Sequence, residues 1–151
     1  MKRILALVFV MFSPVVACAQ DDSAPSQSVP PDIILPGETA DLSEFLWIKR
    51  PLIVFADSPA DPRYTLQMEY LTERLEDLDE RDIVVLTDTD PSADSALRER
   101  LHPRGFMLVL IGKDGTIYLR KPLPWDVREI SRVIDKMPMR QQEMRDRRGG
   151  S

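Results

Sequence analysis

Leu52-Ile53-Val54-Phe55-Ala56 is a run of five apolar residues with no polar residue at alternate positions. A half-exposed strand would alternate, and an isolated buried helix would need a longer stretch. The run therefore predicts a central strand covered on both faces. Such a strand requires other elements above and below its sheet. Asp61-Pro62 supplies the start of one, with a capping acid and a proline at the first helical position. Tyr64, Met68, Leu71, Leu75 and Leu78 then recur at three- and four-residue steps, which makes one apolar helix face.

The rest of the chain alternates in the same way. Ile83 to Leu86 reads as a second strand, and Asp90-Pro91 opens a shorter helix carrying Ala93, Ala96, Leu97 and Leu101. Phe106 to Ile111 is a third strand. Gly112-Lys113-Asp114-Gly115 is a hairpin turn, because Asp-Gly tolerates the positive φ angles such turns need, and Thr116 to Leu119 returns antiparallel. Asp126-x-x-Glu129 starts a last helix with Val127, Ile130, Val133, Ile134 and Met137 on its inner side. Upstream, Asp41-x-x-Glu44 opens a short helix that ends near Lys49, before Pro51. Trp47 and Trp125 are expected at the core edge, where elements end. Strands joined by helices cross over and pair in parallel, so the order predicts an α/β domain over 41–138. Its mixed sheet has about four strands and helices on both faces.

The ends read differently. Residues 1–19 form an export signal: Lys2 and Arg3, an apolar run from Ile4 to Phe12 too short to span a bilayer, and the small-x-small site Ala17-Cys18-Ala19 before Gln20. Val15-Val16-Ala17-Cys18 also resembles a bacterial lipobox, in which Cys18 would carry lipid. Cleavage before Gln20 is preferred because a lipobox favours leucine where Val15 stands. Both readings place the mature chain in the cell envelope, periplasmic or secreted in the first and an outer-membrane lipoprotein in the second. Residues 20–40, with Pro25, Pro30, Pro31 and Pro36, are too polar to fold alone and read as a flexible tether. Residues 139–151, rich in Arg, Met and Gln, read as a tail that extends the last helix for a turn or two. Without Lys2 and Arg3 the chain keeps 18 basic against 25 acidic side chains. A net charge near −7 argues against a nucleic-acid surface. No transmembrane span is expected in the mature chain, and membrane contact only through a lipidated Cys18. Neither cofactor nor metal is expected.

Arg104-Gly105-Phe106-Met107-Leu108-Val109-Leu110-Ile111-Gly112-Lys113-Asp114-Gly115 resembles the second half of a thioredoxin, where an Arg-Gly-apolar run ends in the cis-proline facing the redox pair. Met107 stands at that proline's position. Val54 to Pro62 lies over the thioredoxin active loop, with Pro59 and Pro62 near the two cysteine positions. A more specific resemblance covers Leu42 to Arg145, carried by Arg50-Pro51-Leu52-Ile53-Val54-Phe55-Ala56, Arg81-Asp82-Ile83-Val84-Val85, Leu110 to Gly115 and Ile134 to Met144. These segments resemble domain of unknown function 4174, bacterial relatives of the peroxiredoxin-like P-DUDES domains. The resemblance implies a thioredoxin-like fold lacking redox cysteines and implies little about activity.

Cys18 is the only cysteine, so the mature domain has no thiolate with which to exchange disulfides or reduce peroxide. No catalytic residue is assigned. Asp57, Ser58, Asp61 and Arg63, between a strand end and a helix start, are the candidate ligand contacts. The same residues also serve as an ordinary turn and cap, the stronger of the two readings. Asp88, Asp90 and Asp94 have oxygen ligands suited to a hard cation but lack the rest of a binding loop. His102 has no partner of metal-ligating type nearby in sequence and reads as a helix-end residue. Met137, Met139, Arg140, Met144 and Arg145 form a possible interface, since methionine and arginine suit adaptable surfaces. The chain is thus expected to be a non-catalytic thioredoxin-like binding or scaffolding module for an envelope protein or small ligand. The alternative is a non-thiol enzyme or a small-molecule or oxidant-response protein using Asp57 to Arg63.

Overall fold

In a computed structural model, residues 33–150 are described. Cys18 and the export signal lie outside them, as does most of the expected tether. The sheet has five strands in the order β1-β3-β2-β4-β5. β1 (Ile34–Pro36), β2 (Arg50–Phe55) and β3 (Ile83–Asp88) are mutually parallel, while β4 (Met107–Ile111) and β5 (Ile117–Lys121) form the antiparallel side.

β1 corrects the four-strand expectation and the tether boundary at residue 40. Ile33, just before it, is buried, and the Val85 N–H donates to the Ile33 carbonyl at 2.6 Å. Pro36 is acceptable there because an edge strand can lack a donor. Gly37 closes the strand with its N–H on the Thr87 carbonyl at 2.8 Å, and a Cβ there would stand 3.0 Å from Leu97 and 3.1 Å from that carbonyl.

β2 is buried at every residue, as its composition requires. Pro51 sits inside this central strand without breaking its ladder. The Arg50 N–H points to Asp82 on the β3 side (2.7 Å), so the Pro51 nitrogen points to the β4 side, where pairing begins only at Leu52. Leu52 and Val54 face one core with Val85, Leu108 and Leu110, roofed by α1 (Pro62–Thr72), α2 (Leu75–Asp79) and α4 (Val127–Asp135). Ile53 and Phe55 face the other core with Leu86, Val109 and Ile111, covered by Leu42 and by Leu97 and Leu101 of α3 (Ala96–Leu101).

The single helix expected after Asp61 is two helices. The Thr72 hydroxyl donates back to the carbonyls of Met68 (2.9 Å) and Glu69 (3.1 Å), the type of bond that bends a helix. All five residues of the expected stripe still reach one core. Asp90 caps only a 3₁₀ turn, Pro91–Ala93, and Ser95 caps α3 after a left-handed Asp94. The upstream helix is likewise a 3₁₀ turn, Leu42–Phe45, with Asp41 as cap. The tail is a separate helix, α5 (Pro138–Gly149), begun by Pro138 at its first turn.

Candidate functional site at the strand ends

β2 ends at Phe55 and β3 at Asp88, which are register partners, so both chains leave the sheet side by side. The loop from Asp57 leads to the N-terminus of α1. Asp61 does two jobs there. Its Oδ1 accepts the Arg63 N–H at 2.8 Å, which caps α1, and its two oxygens take the Arg63 guanidinium at 3.1 and 2.8 Å. These bonds hold the Asp61 carboxyl below its ordinary value and raise that of Arg63. The Ser58 hydroxyl accepts the Ala60 N–H at 3.1 Å. Asp57 is exposed, next to Gly105, whose φ is +60°. The Arg63 guanidinium lies 5.7 Å from the centre of the Phe106 ring. The four candidate residues thus line one open surface hollow. Three of them are engaged with one another or with their own loop, and the depressed Asp61 carboxyl is a poor proton acceptor.

Behind this loop lies an ion pair that the sequence pattern did not single out. Asp88 is fully buried, and its carboxylate accepts the Arg98 Nε at 2.8 Å and the Ser95 hydroxyl. Arg98 also donates to the carbonyls of Ala56 (2.7 Å) and Asp88 (3.2 Å), and its guanidinium lies 5.5 Å from the Phe55 ring centre. One side chain therefore ties together the ends of β2 and β3. In open α/β sheets this crevice is the usual ligand position. Here an arginine from α3 fills it. The only sequence signal is an acid ending an apolar strand ten residues before a basic one.

Met107 begins β4 opposite Phe55 and packs on the α3 side of the sheet, away from the Asp57 loop. Gly105 and Phe106 border that loop instead. Among the described residues no peptide bond is cis. Asp88, Asp90 and Asp94 are separated by role: Asp88 binds Arg98, Asp90 accepts from Ser92 at 2.9 Å, and Asp94 takes the left-handed turn. No three His, Cys, Asp or Glu side chains among the described residues are arranged to hold a metal ion. His102 ends α3 in the left-handed conformation.

The expected tail interface is corrected at two positions. Arg140 and Met137 are buried within the domain itself. Arg140 meets Glu143, Glu80 and Asp135 at 3.4 to 3.6 Å, and Met137 joins the core beneath α4. Met139 and Met144 are half-buried, and Arg145 is exposed, bonded to Gln142 at 2.7 Å.

The sheet order and the two helical layers define an α/β protein of the thioredoxin and peroxiredoxin kind, with no cysteine at the loop after its central strand. Comparison with solved structures finds a peroxiredoxin of the same fold. A reduced 2-Cys peroxiredoxin of Plasmodium vivax is 16% identical with a TM-score of 0.54, covering 68% of this chain and 85% of that one. Thioredoxin peroxidase I of Plasmodium yoelii is 17% identical with a TM-score of 0.49, covering 68% and 80%. No curated protein matches the sequence. The family model "Domain of unknown function (DUF4174)" matches residues 41–143, and the chain belongs to that family.

Proposed function

We propose that the protein is an exported, non-catalytic thioredoxin-like module that binds or scaffolds other components of the bacterial cell envelope. One observation carries this reading. The polar positions at the strand ends are occupied by the chain's own groups: Asp61 on the N-terminus of α1, and Arg98 between β2 and β3. A site whose helix N–H already has an internal carboxylate, and whose crevice holds an internal arginine, is left with the exposed Asp57 carboxylate, fewer groups than acid–base or nucleophilic chemistry requires. Export rests on the leader pattern of residues 1–19. Photo-crosslinking from Ser58 in living cells tests the reading. A discrete adduct with an envelope component is the expected result, together with background rates in disulfide-reduction and peroxide-consumption assays. Turnover in either assay, or a cytoplasmic location, would overturn it.

The open hollow beside Asp57 favours a second reading, a small ligand held at Asp57 to Arg63. Its ligand would present a cation or hydrogen-bond donors to the exposed Asp57 carboxylate.

A further inference from the structure

Trp47 was expected at the core edge, yet it is 68% exposed, and Ile48 after it is 63% exposed. Trp47 also has φ +65°, a left-handed conformation that a bulky side chain adopts at a cost. The turn is held from outside by the Trp47 N–H, which donates to the Lys113 carbonyl at 2.8 Å. Glycine would satisfy that backbone without strain. A large aromatic kept in a strained, solvent-facing position calls for a contact outside the fold.

The neighbours extend the patch. Leu46, Ile117 and Tyr118 are each about 40% exposed, so five of the seven exposed large apolar or aromatic side chains among the described residues flank one end of the sheet. They border the turn Gly112–Gly115: Leu46 approaches Gly115, and the Tyr118 ring approaches Gly112. Lys49 and Lys113 stand among them, paired with Asp79 (3.8 Å) and with Asp82 and Glu143 (2.8 and 2.9 Å). The end is apolar and aromatic, its two lysines are paired, and the one carboxylate in the turn, Asp114, accepts bonds from Thr116 and from the Tyr118 hydroxyl. That composition matches the interfacial zone of a bilayer, where tryptophan and tyrosine sit at headgroup level.

The chain's own path selects the occupant. β1 runs parallel to β2 and β3, so the N-terminal segment enters the fold at the end where Trp47 leads into β2. Ile33 lies fifteen positions after Cys18, a contour of at most about 50 Å. We propose that the Leu46–Ile48 turn, with Ile117 and Tyr118, is a membrane-contact surface that seats this end of the domain on a lipid bilayer. The proposal rests on the export reading, because export is what brings the domain beside a membrane.

The test uses the mature chain from Gln20, which has no lipid to hold it to vesicles, with Trp125→Phe so that Trp47 is the one emitter. Vesicles of phosphatidylethanolamine and phosphatidylglycerol carrying brominated acyl chains should quench Trp47 by about half and shift its emission to the blue. Ile48→Ser should remove most of the quenching, and added salt should leave it nearly unchanged, since the contact is apolar. Trp47→Gly should abolish co-sedimentation with the vesicles without lowering the melting temperature. Unquenched Trp47 overturns the proposal. A loss of stability in Trp47→Gly as large as that of a core truncation also overturns it, by making the side chain structural. So does a dimer or a stoichiometric protein complex, formed without lipid and dissolved by Ile48→Ser. Intact mass reads the anchor separately. Lipid on Cys18 supports the anchored form of the export reading. A chain beginning at Gln20 removes that form, and the quenching experiment then decides the surface alone.

Discussion

Arg50 and Glu143 lie 93 positions apart in sequence and bond at 2.9 Å in the structure. Arg50 is 1% exposed at the head of the central strand, and its other terminal nitrogen donates to the Arg81 carbonyl at 2.8 Å. Glu143 comes from α5 and also takes Lys113 at 2.9 Å. This three-way contact fastens the last helix to the foot of the sheet. It makes the C-terminal segment part of the fold.

Glu143→Gln should therefore destabilise the domain, because it leaves buried Arg50 with Asp82, at 4.0 Å, as its remaining countercharge. Leaving a buried charge wholly uncompensated costs roughly 3–5 kcal/mol, so part of that is expected here, read as a lower urea midpoint. The pH dependence has a definite sign. Burial raises the Glu143 carboxyl, but the bonds from Lys113 and Arg50 outweigh that and bring it from 4.5 to about 2. Its folded value lies below its unfolded value, so its stabilisation is complete above about pH 4.5 and fades as pH falls towards 2. The gap in stability between the wild type and Glu143→Gln should close over that window. A constant gap from pH 6 to pH 2 would show that the bond matters through shape and not charge.

Arg98→Met should cost a similar amount by leaving the Asp88 carboxylate buried and unpaired. It also frees the carbonyl of Ala56 from its 2.7 Å bond. Adding Asp88→Asn to Arg98→Met should recover part of the loss, giving a coupling energy of about 0.5–3 kcal/mol in a double-mutant cycle. Additive effects would mean that Arg98 acts through its carbonyl bonds and its packing on Phe55, and not through the Asp88 carboxylate.

Gln67 is fully buried on α1, and its amide is used at both ends. It donates to the Trp125 carbonyl at 3.0 Å and accepts the Trp125 N–H at 2.8 Å, fixing the loop before α4. Gln67→Ala strands both backbone groups, at about 1–3 kcal/mol for each left unsatisfied. Hydrogen exchange at the Trp125 amide should quicken more than at core strand amides. Equal acceleration throughout would show a global effect instead.

How much of this could be read from sequence depends on the range of the interaction. Local chemistry was legible: Asp61 and Asp126 cap α1 and α4, and Gly112–Gly115 turns the hairpin. The buried strand at Leu52–Phe55 follows from composition alone. β1 was not legible, because three residues between prolines carry no pattern and their pairing with Val85 to Thr87 is a distant contact. The break after Thr72 depends on one hydroxyl rotamer. At the site, Asp57 to Arg63 were placed together, whereas Asp88–Arg98 was missed because Asp88 was weighed with Asp90 and Asp94 as a cation ligand and its partner lies ten residues on, in another element. Segments that carry the family resemblance supply Arg50, Arg81, Asp82, Lys113, Asp135, Arg140 and Glu143. These meet in the network beneath the sheet, and the family match ends at Glu143.

The loop itself yields the last prediction. Asp61 caps α1 and holds Arg63, while Asp57 makes no comparable bond within the domain core and faces solvent. Asp61→Ala should lower the melting temperature by a few degrees, as expected for a lost cap in a domain of this size. Asp57→Ala should leave it unchanged. If the loop contacts a partner, Asp57→Ala should weaken the Ser58 crosslink in cells without any change in folding, because an exposed carboxylate contributes only when something meets it. If Asp57→Ala leaves the crosslink intact while Asp61→Ala removes it in proportion to lost stability, the loop is a helix start and the module binds through another face.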